Sequence, residues 1–222
     1  MAVLRLLCVA ALFTLAAAAS VAKTPVAPAQ DEDLAEAWRA YAAADYTRAR
    51  DSYRKAATRG HSLAQFNLSV MLIEGQGGAA DTKEGLEWLR KAADAGLARA
   101  QYSLGVFYDR GDIVPKSTAD ATTWFAKAAA QGWRDAQVSL ATQYYLGRGA
   151  PKDYKEAAKW YERAAEQGDE GASYIIASMY EHGDGVAQDL ELAFYWYTQA
   201  AAYGDLTAGI KAREVREKLH PQ

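Results

Sequence analysis

Cysteine is almost missing from this chain. Among 222 residues there is one, Cys8, and it lies in an N-terminal stretch that reads as removable, so no disulfide braces the folded part and stability has to come from packing. An excess of positive charge is also lacking: 25 Lys and Arg face 28 Asp and Glu, a net charge of −3. That balance supplies no basic stripe for a phosphate backbone and sets nucleic acid aside as a partner. Histidine is scarce. His61, His182 and His220 stand far apart, and "EHGDG" (181–185) has neither zinc-ligand spacing nor the carboxylate ladder of a calcium loop, so no metal and no cofactor is expected. Apolar residues make up 50% of the chain, which excludes general disorder.

Residues 1–22, "MAVLRLLCVAALFTLAAAASVA", place Arg5 before an apolar stretch from Leu6 to about Ala18 and end in small residues. This is the pattern of a cleaved secretory signal, and the expected location is periplasmic or secreted. The apolar stretch is too short for a membrane anchor and no stop-transfer flank follows, so no stable span is expected after cleavage. Leu7 precedes Cys8 where a lipoprotein signal would want a small residue. Residues 23–33, "KTPVAPAQDED", combine prolines with an acidic cluster and read as a flexible leader.

What is abundant is repetition. "GLEWLRKAADAG" (85–96), "ATTWFAKAAAQG" (121–132), "AAKWYERAAEQG" (157–168) and "AFYWYTQAAAYG" (193–204) share one arrangement of Trp, paired Ala and Gly. Their final glycines, with Gly60, recur every 36 residues, and a fixed period of that size marks a solenoid. Each unit is numbered here from the residue after such a glycine. Position 4 is Ala64, Ala100, Ala136 and Ala172; position 8 is Leu68, Leu104, Leu140 and Ile176; position 12 is Leu72, Tyr108, Tyr144 and Tyr180. Spacings of four put these on one face of a first helix, A. A second helix, B, buries position 25 (Gly85, Ala121, Ala157, Ala193), position 29 and the Ala pair at 32 and 33. In it the position-28 tryptophans Trp88, Trp124, Trp160 and Trp196 are expected to fill the gaps between pairs, at about 3–5 kcal/mol each if fully buried. Position 21 (Asp81, Ser117, Asp153, Asp189) is an N-cap, with Glu84 and Glu156 placed to complete capping boxes. Helix A ends before Gly75, Gly111, Gly147 and Gly183.

These residues resemble a known family. "ARAQYSLGVFYDRG" (98–111) and "EGASYIIASMYEHGDGVAQDLELAFYWYTQAAAYG" (170–204) are similar to Sel-one-like (SLR) repeats, a branch of the tetratricopeptide-like superhelices. The fold class is then all-α, a right-handed α-solenoid of antiparallel helix pairs with about 11 helices after signal removal. Its segments are a tetratricopeptide-like pair at 34–60, four repeats at 61–96, 97–132, 133–168 and 169–204, and a charged capping helix with tail at 205–222. The repeat at 97–132 departs from the pattern, with Asp112, Ile113 and Pro115 in place of a glycine-rich turn. The disulfides of the family's cysteine-rich branch are absent, which detaches this chain from any activity peculiar to that branch.

Catalytic residues are not expected. "SYRK" (52–55) has the S-x-x-K spacing of penicillin-recognising enzymes, but Lys55 stands at position 31, where Lys91, Lys127 and Arg163 also occur, and no S-D-N or K-T-G segment accompanies it. "GQGG" (75–78) and "GRG" (147–149) follow helices and lack a P-loop lysine, so they read as turns. The resemblance implies that helix A lines the concave side, where positions 3, 6, 10 and 13 differ from unit to unit. The expected partner-binding residues are Phe66, Arg99, Tyr102, Asp109, Asp135, Thr142, Tyr145, Tyr174, Ser178 and Glu181, with a protein or peptide as ligand. The leading reading is an exported, non-enzymatic adaptor, monomeric because the last helix is charged. The alternatives are a cell-wall hydrolase or glycan-recognising protein and a self-assembling structural module.

Overall fold

The computed structural model describes residues 32–220; the expected signal and most of the leader lie outside the described residues. Among these residues there are eleven α-helices and no strand. They are α1 (Glu32–Ala42), α2 (Tyr46–Thr58), α3 (Ser62–Glu74), α4 (Thr82–Asp94), α5 (Ala98–Arg110), α6 (Thr118–Ala130), α7 (Arg134–Leu146), α8 (Tyr154–Glu166), α9 (Glu170–His182), α10 (Leu190–Ala202) and α11 (Leu206–Leu219). Helix α1 starts at Glu32, inside the stretch expected to be leader. The chain divides into two compact units, one ending at Ser117 and the other beginning at Thr118. The division falls in the loop that carries Ile113 and Pro115. Within each unit every helix packs on the next along the chain, the arrangement of an all-α solenoid of antiparallel pairs.

The loops explain why the helices stop and start where they do. Gly75, Gly111, Gly147 and Gly183 end helix A with φ of 69°, 76°, 68° and 74°, the left-handed region where a side chain would be strained. At position 21 the backbone N–H reaches back to the carbonyl of position 12: Asp81 to Leu72 (2.8 Å), Ser117 to Tyr108 (2.9 Å), Asp153 to Tyr144 (3.0 Å) and Asp189 to Tyr180 (2.9 Å). The side chains of Asp81, Asp153 and Asp189 cap helix B by accepting from the N–H groups of its first turn. One residue type thus ties the end of helix A to the start of helix B.

The expected capping boxes do not form. The Asp81 N–H that Glu84 would have accepted is already taken by Leu72. Glu84 turns instead to α2, pairing with the Arg54 guanidinium and accepting from Trp88 Nε1 at 3.0 Å. Glu156 likewise pairs with Lys159 at 3.2 Å.

A second correction concerns the core. Position 29, not the tryptophan before it, is the deepest filler: Leu89, Phe125, Tyr161 and Tyr197 are at most 2% exposed. Trp88, Trp124 and Trp160 are half-buried, and cations three residues on lie over their rings: Lys91 at 3.9 Å, Lys127 at 3.8 Å and Arg163 at 4.7 Å from the centroids. In these three repeats the basic residue at position 31 covers the tryptophan's outer face; beside Trp196 the position is Gln199. Lys55 occupies that position opposite Ser52, which stands where the other units have Trp. The alanines behave as expected: Ala64, Ala100, Ala136 and Ala172 have no exposed surface.

Candidate partner-binding face

The expected contact residues divide by unit. In the unit ending at Ser117, α3 is buried at each residue from Ala64 to Leu72 and α5 at each from Ala100 to Phe107. A helix enclosed on all sides presents no binding row. Phe66 is accordingly 0% exposed and Tyr102 8%, with the Arg99 guanidinium 6.0 Å from the Phe66 centroid. Arg99 and Asp109 are half-buried. Phe66 and Tyr102 thus have no surface to give a ligand in this structure, contrary to the expectation for them.

In the unit beginning at Thr118 the same row is open. Asp135 on α7 is exposed beside Arg134, 3.5 Å away. Thr142 and Tyr145 on α7 and Tyr174 and Ser178 on α9 are half-buried. The two tyrosines are braced from behind by the position-29 phenols. Tyr145 meets Tyr161 edge-on, with centroids 6.4 Å apart, and Tyr174 meets Tyr197 edge-on at 5.3 Å. Thr142 Oγ1 donates to the Val138 carbonyl (2.8 Å) and accepts from the Tyr161 hydroxyl (2.9 Å). Burial first, moderated by that hydrogen bond, pushes the Tyr161 phenol above its ordinary value.

Sequence reasoning missed that the aromatic surface continues past Tyr145. Tyr154, the residue after the N-cap Asp153, packs edge-on against Tyr145 at 5.0 Å, and the Lys152 ammonium lies 4.6 Å from the Tyr154 centroid. Hydrogen bonding to Tyr154 holds the Lys152 pKa above its usual value. The signal in the sequence is the tyrosine at position 22, directly after the N-cap Asp153. His182 turns back into its own helix, its Nδ1 donating to the Ser178 carbonyl at 2.8 Å.

Glu181 is not a surface residue. It is 4% exposed, and its carboxylate accepts from Tyr197 Oη at 3.0 Å and from Lys218 Nζ at 2.5 Å. Burial opposes its charge, yet the bonds from Lys218 and Tyr197 and the Lys218 charge outweigh it and hold the carboxyl below the ordinary range. Its partner cation lies 37 residues on, in the last turn of α11. The correction follows from that helix, which packs on α10 and brings Lys218 over the carboxylate.

A glutamine recurs at position 5. Gln65, Gln101 and Gln137 each donate through Nε2 to the position-33 carbonyl of the preceding helix B, at 3.2, 3.0 and 3.4 Å. Each gives a second hydrogen bond to a carbonyl that already accepts from the N–H of the glycine ending helix B, Gly60, Gly96 or Gly132. In the last unit Ser173 takes the place and donates to Asp169 O instead, at 2.8 Å.

Among the described residues no group of three or more His, Cys, Asp or Glu could hold a metal ion, and no helix is long and apolar enough to cross a membrane. Stacked helix pairs bearing one open row of braced tyrosines define a repeat scaffold. The sequence matches the model of the Sel1 repeat family at residues 39–61, 62–97, 98–133, 134–169 and 171–205, and the chain belongs to that family. The first match takes in most of the stretch read above as a tetratricopeptide-like pair. Sel1 repeat proteins are generally non-enzymatic, protein-binding scaffolds. The chain is similar to a protective antigen present in uropathogenic Escherichia coli strains that displays an SLR fold, with 34% identity and a TM-score of 0.67 over 72% of this chain and 34% of that one. It is also similar to a Sel1 repeat protein from Oxalobacter formigenes, with 32% identity and a TM-score of 0.71 over 77% of this chain and 50% of that one. It therefore spans half or less of those two chains. No curated protein matches the sequence.

Proposed function

We propose that this protein is an exported adaptor that binds a protein or peptide through the helix-A row of its C-terminal unit, centred on Tyr145 and Tyr174 and extended by Tyr154 at the start of helix B in α8. The observation that carries this reading is the bracing of Tyr145 and Tyr174 by buried Tyr161 and Tyr197. Rings held before binding offer large contact area with little side-chain entropy left to lose. Asp135, Thr142, Ser178 and Lys152 supply polar groups around them. Export rests on the residue pattern of 1–22, and the similarity to a protective antigen is in keeping with it. Capture of partners by the purified protein from the compartment it occupies tests the reading: Tyr145→Ser with Tyr174→Ser should lose the bound species while keeping the wild-type helical signal. Retention of the same species by the double variant would refute it. The N-terminal mass of the mature protein tests export separately.

A second reading, association of copies, is favoured by one feature. Leu206 and Ile210 on α11 are 85% and 50% exposed, so the last helix is less polar on its outer side than its charges suggest. Sedimentation at several concentrations distinguishes the two: a constant monomer mass rejects self-association.

A further inference from the structure

Helix α11 is attached differently from the helices before it. The side chains it buries are small, Ala208, Ala212 and Val215, whereas α9 buries Ile175, Ile176 and Met179. Of its larger apolar residues Leu206 and Ile210 are exposed, while Leu219, half-buried, packs against the core cluster. The apolar contribution to docking is correspondingly smaller than that of α9. A charge takes its place, for Lys218 reaches the buried Glu181 carboxylate at 2.5 Å while Tyr197 of α10 holds the other oxygen.

We propose that α11 is a separately opening cap on the C-terminal unit, clasped by Lys218 to Glu181, and that protonating Glu181 opens it. The groups facing that carboxylate are few. From α9 comes His182, whose ring is turned to the Ser178 carbonyl; from α10, the Tyr197 hydroxyl; from α11, Lys218 and, further off, Lys211, paired with Glu214 at 2.7 Å. A proton on Glu181 removes the negative partner of Lys218, and loss of Lys218 strands a buried negative charge; either way the helix loses its main hold. Because Glu181 lies below the ordinary carboxyl value when the cap is docked, the clasp is intact above that value and fails as pH drops through the lower one. Opening uncovers Trp196, Tyr197 and Ala200, in the cluster with Ala208, Ala212 and Val215, the kind of face each earlier helix B offers to the next helix A.

Amide hydrogen exchange, corrected for intrinsic rates, compares 206–219 with 154–166 in the intact protein. Lys218→Met is the first variant, since Lys218 is half exposed and its loss leaves the core packing alone. It should speed exchange in 206–219 by about tenfold or more while 154–166 stays unchanged. Wild type should show the same selective loss on acidification below the ordinary carboxyl value, and Glu181→Gln should show it already at neutral pH with little further pH dependence. Glu217→Gln, on the exposed side of α11, is the control and should change nothing. The proposal is overturned if Lys218→Met leaves 206–219 protected, or if both segments lose protection together in wild type at low pH.

Discussion

At the scale of single residues, position 29 outranks position 28. Tyr161 has no exposed surface and its hydroxyl is bonded to Thr142. Tyr161→Ala should therefore cost about 3–5 kcal/mol, measured by urea unfolding. Trp160, half-buried beneath Arg163, should cost about 1–2 kcal/mol on the same substitution. The sequence shows a tryptophan in each of the four repeats and so points to the less buried of two adjacent apolar positions, although Trp196 is buried: size is visible in a sequence, but the angle at which a helix rolls onto its neighbour is not. Ala44, the described non-glycine residue with positive φ (60°), carries backbone strain in the turn between α1 and α2. Ala44→Gly should raise stability by about 0.5–1 kcal/mol, seen as a higher unfolding midpoint.

At the scale of elements, two kinds of glycine that look alike in sequence separate in structure. A Cβ on Gly132 (φ 85°) would meet nothing within 4 Å, whereas one on Gly149 (φ 71°) would lie 2.1 Å from the Thr118 carbonyl and one on Gly185 (φ 78°) 2.3 Å from that of Tyr154. The later glycine of each such loop abuts the start of an earlier helix B. Gly132→Ala should cost about 1–2 kcal/mol from φ alone, and Gly149→Ala about 3 kcal/mol or more once the clash is added. The turns were legible in the sequence; the close approach was not, because it joins residues about thirty positions apart. Groups near helix ends also make stability depend on pH. Arg54, by its hydrogen bonds, holds Glu84 below the usual 4.5, so its share of stability is complete above that value and is lost as pH falls through the lower folded one. On the alkaline side, burial first and then the bond to Glu162 push Tyr180 up to about 12 from 10.0. A phenol raised in the folded state stabilises fully below 10.0 and ceases to as pH rises towards 12. Unfolding midpoints should drop across that window, and Tyr180→Phe should reduce the drop.

At the scale of the whole molecule, the 36-residue period made the architecture readable: the aspartate N-caps, the αL glycines and the position-4 alanines recur where expected, although the capping boxes do not form. The proposed binding face was readable only in part. Tyr145, Tyr174, Thr142 and Ser178 stand on an open row, but whether a helix-A row is open depends on what covers it, and no local pattern distinguishes enclosed Tyr102 from half-exposed Tyr174. Glu181 was misplaced for the same reason, its cation being 37 residues away. The account rests on the tyrosine row of the C-terminal unit being the surface that meets a partner. The most direct measurement replaces Tyr145, Tyr174 and, on the charged outer face of α8, Glu166 one at a time with a photo-crosslinking amino acid and weighs the adducts formed in cells. Adducts from 145 and 174 carrying a common partner, with none from 166, are predicted. Equal labelling at 166, or labelling there alone, would contradict it.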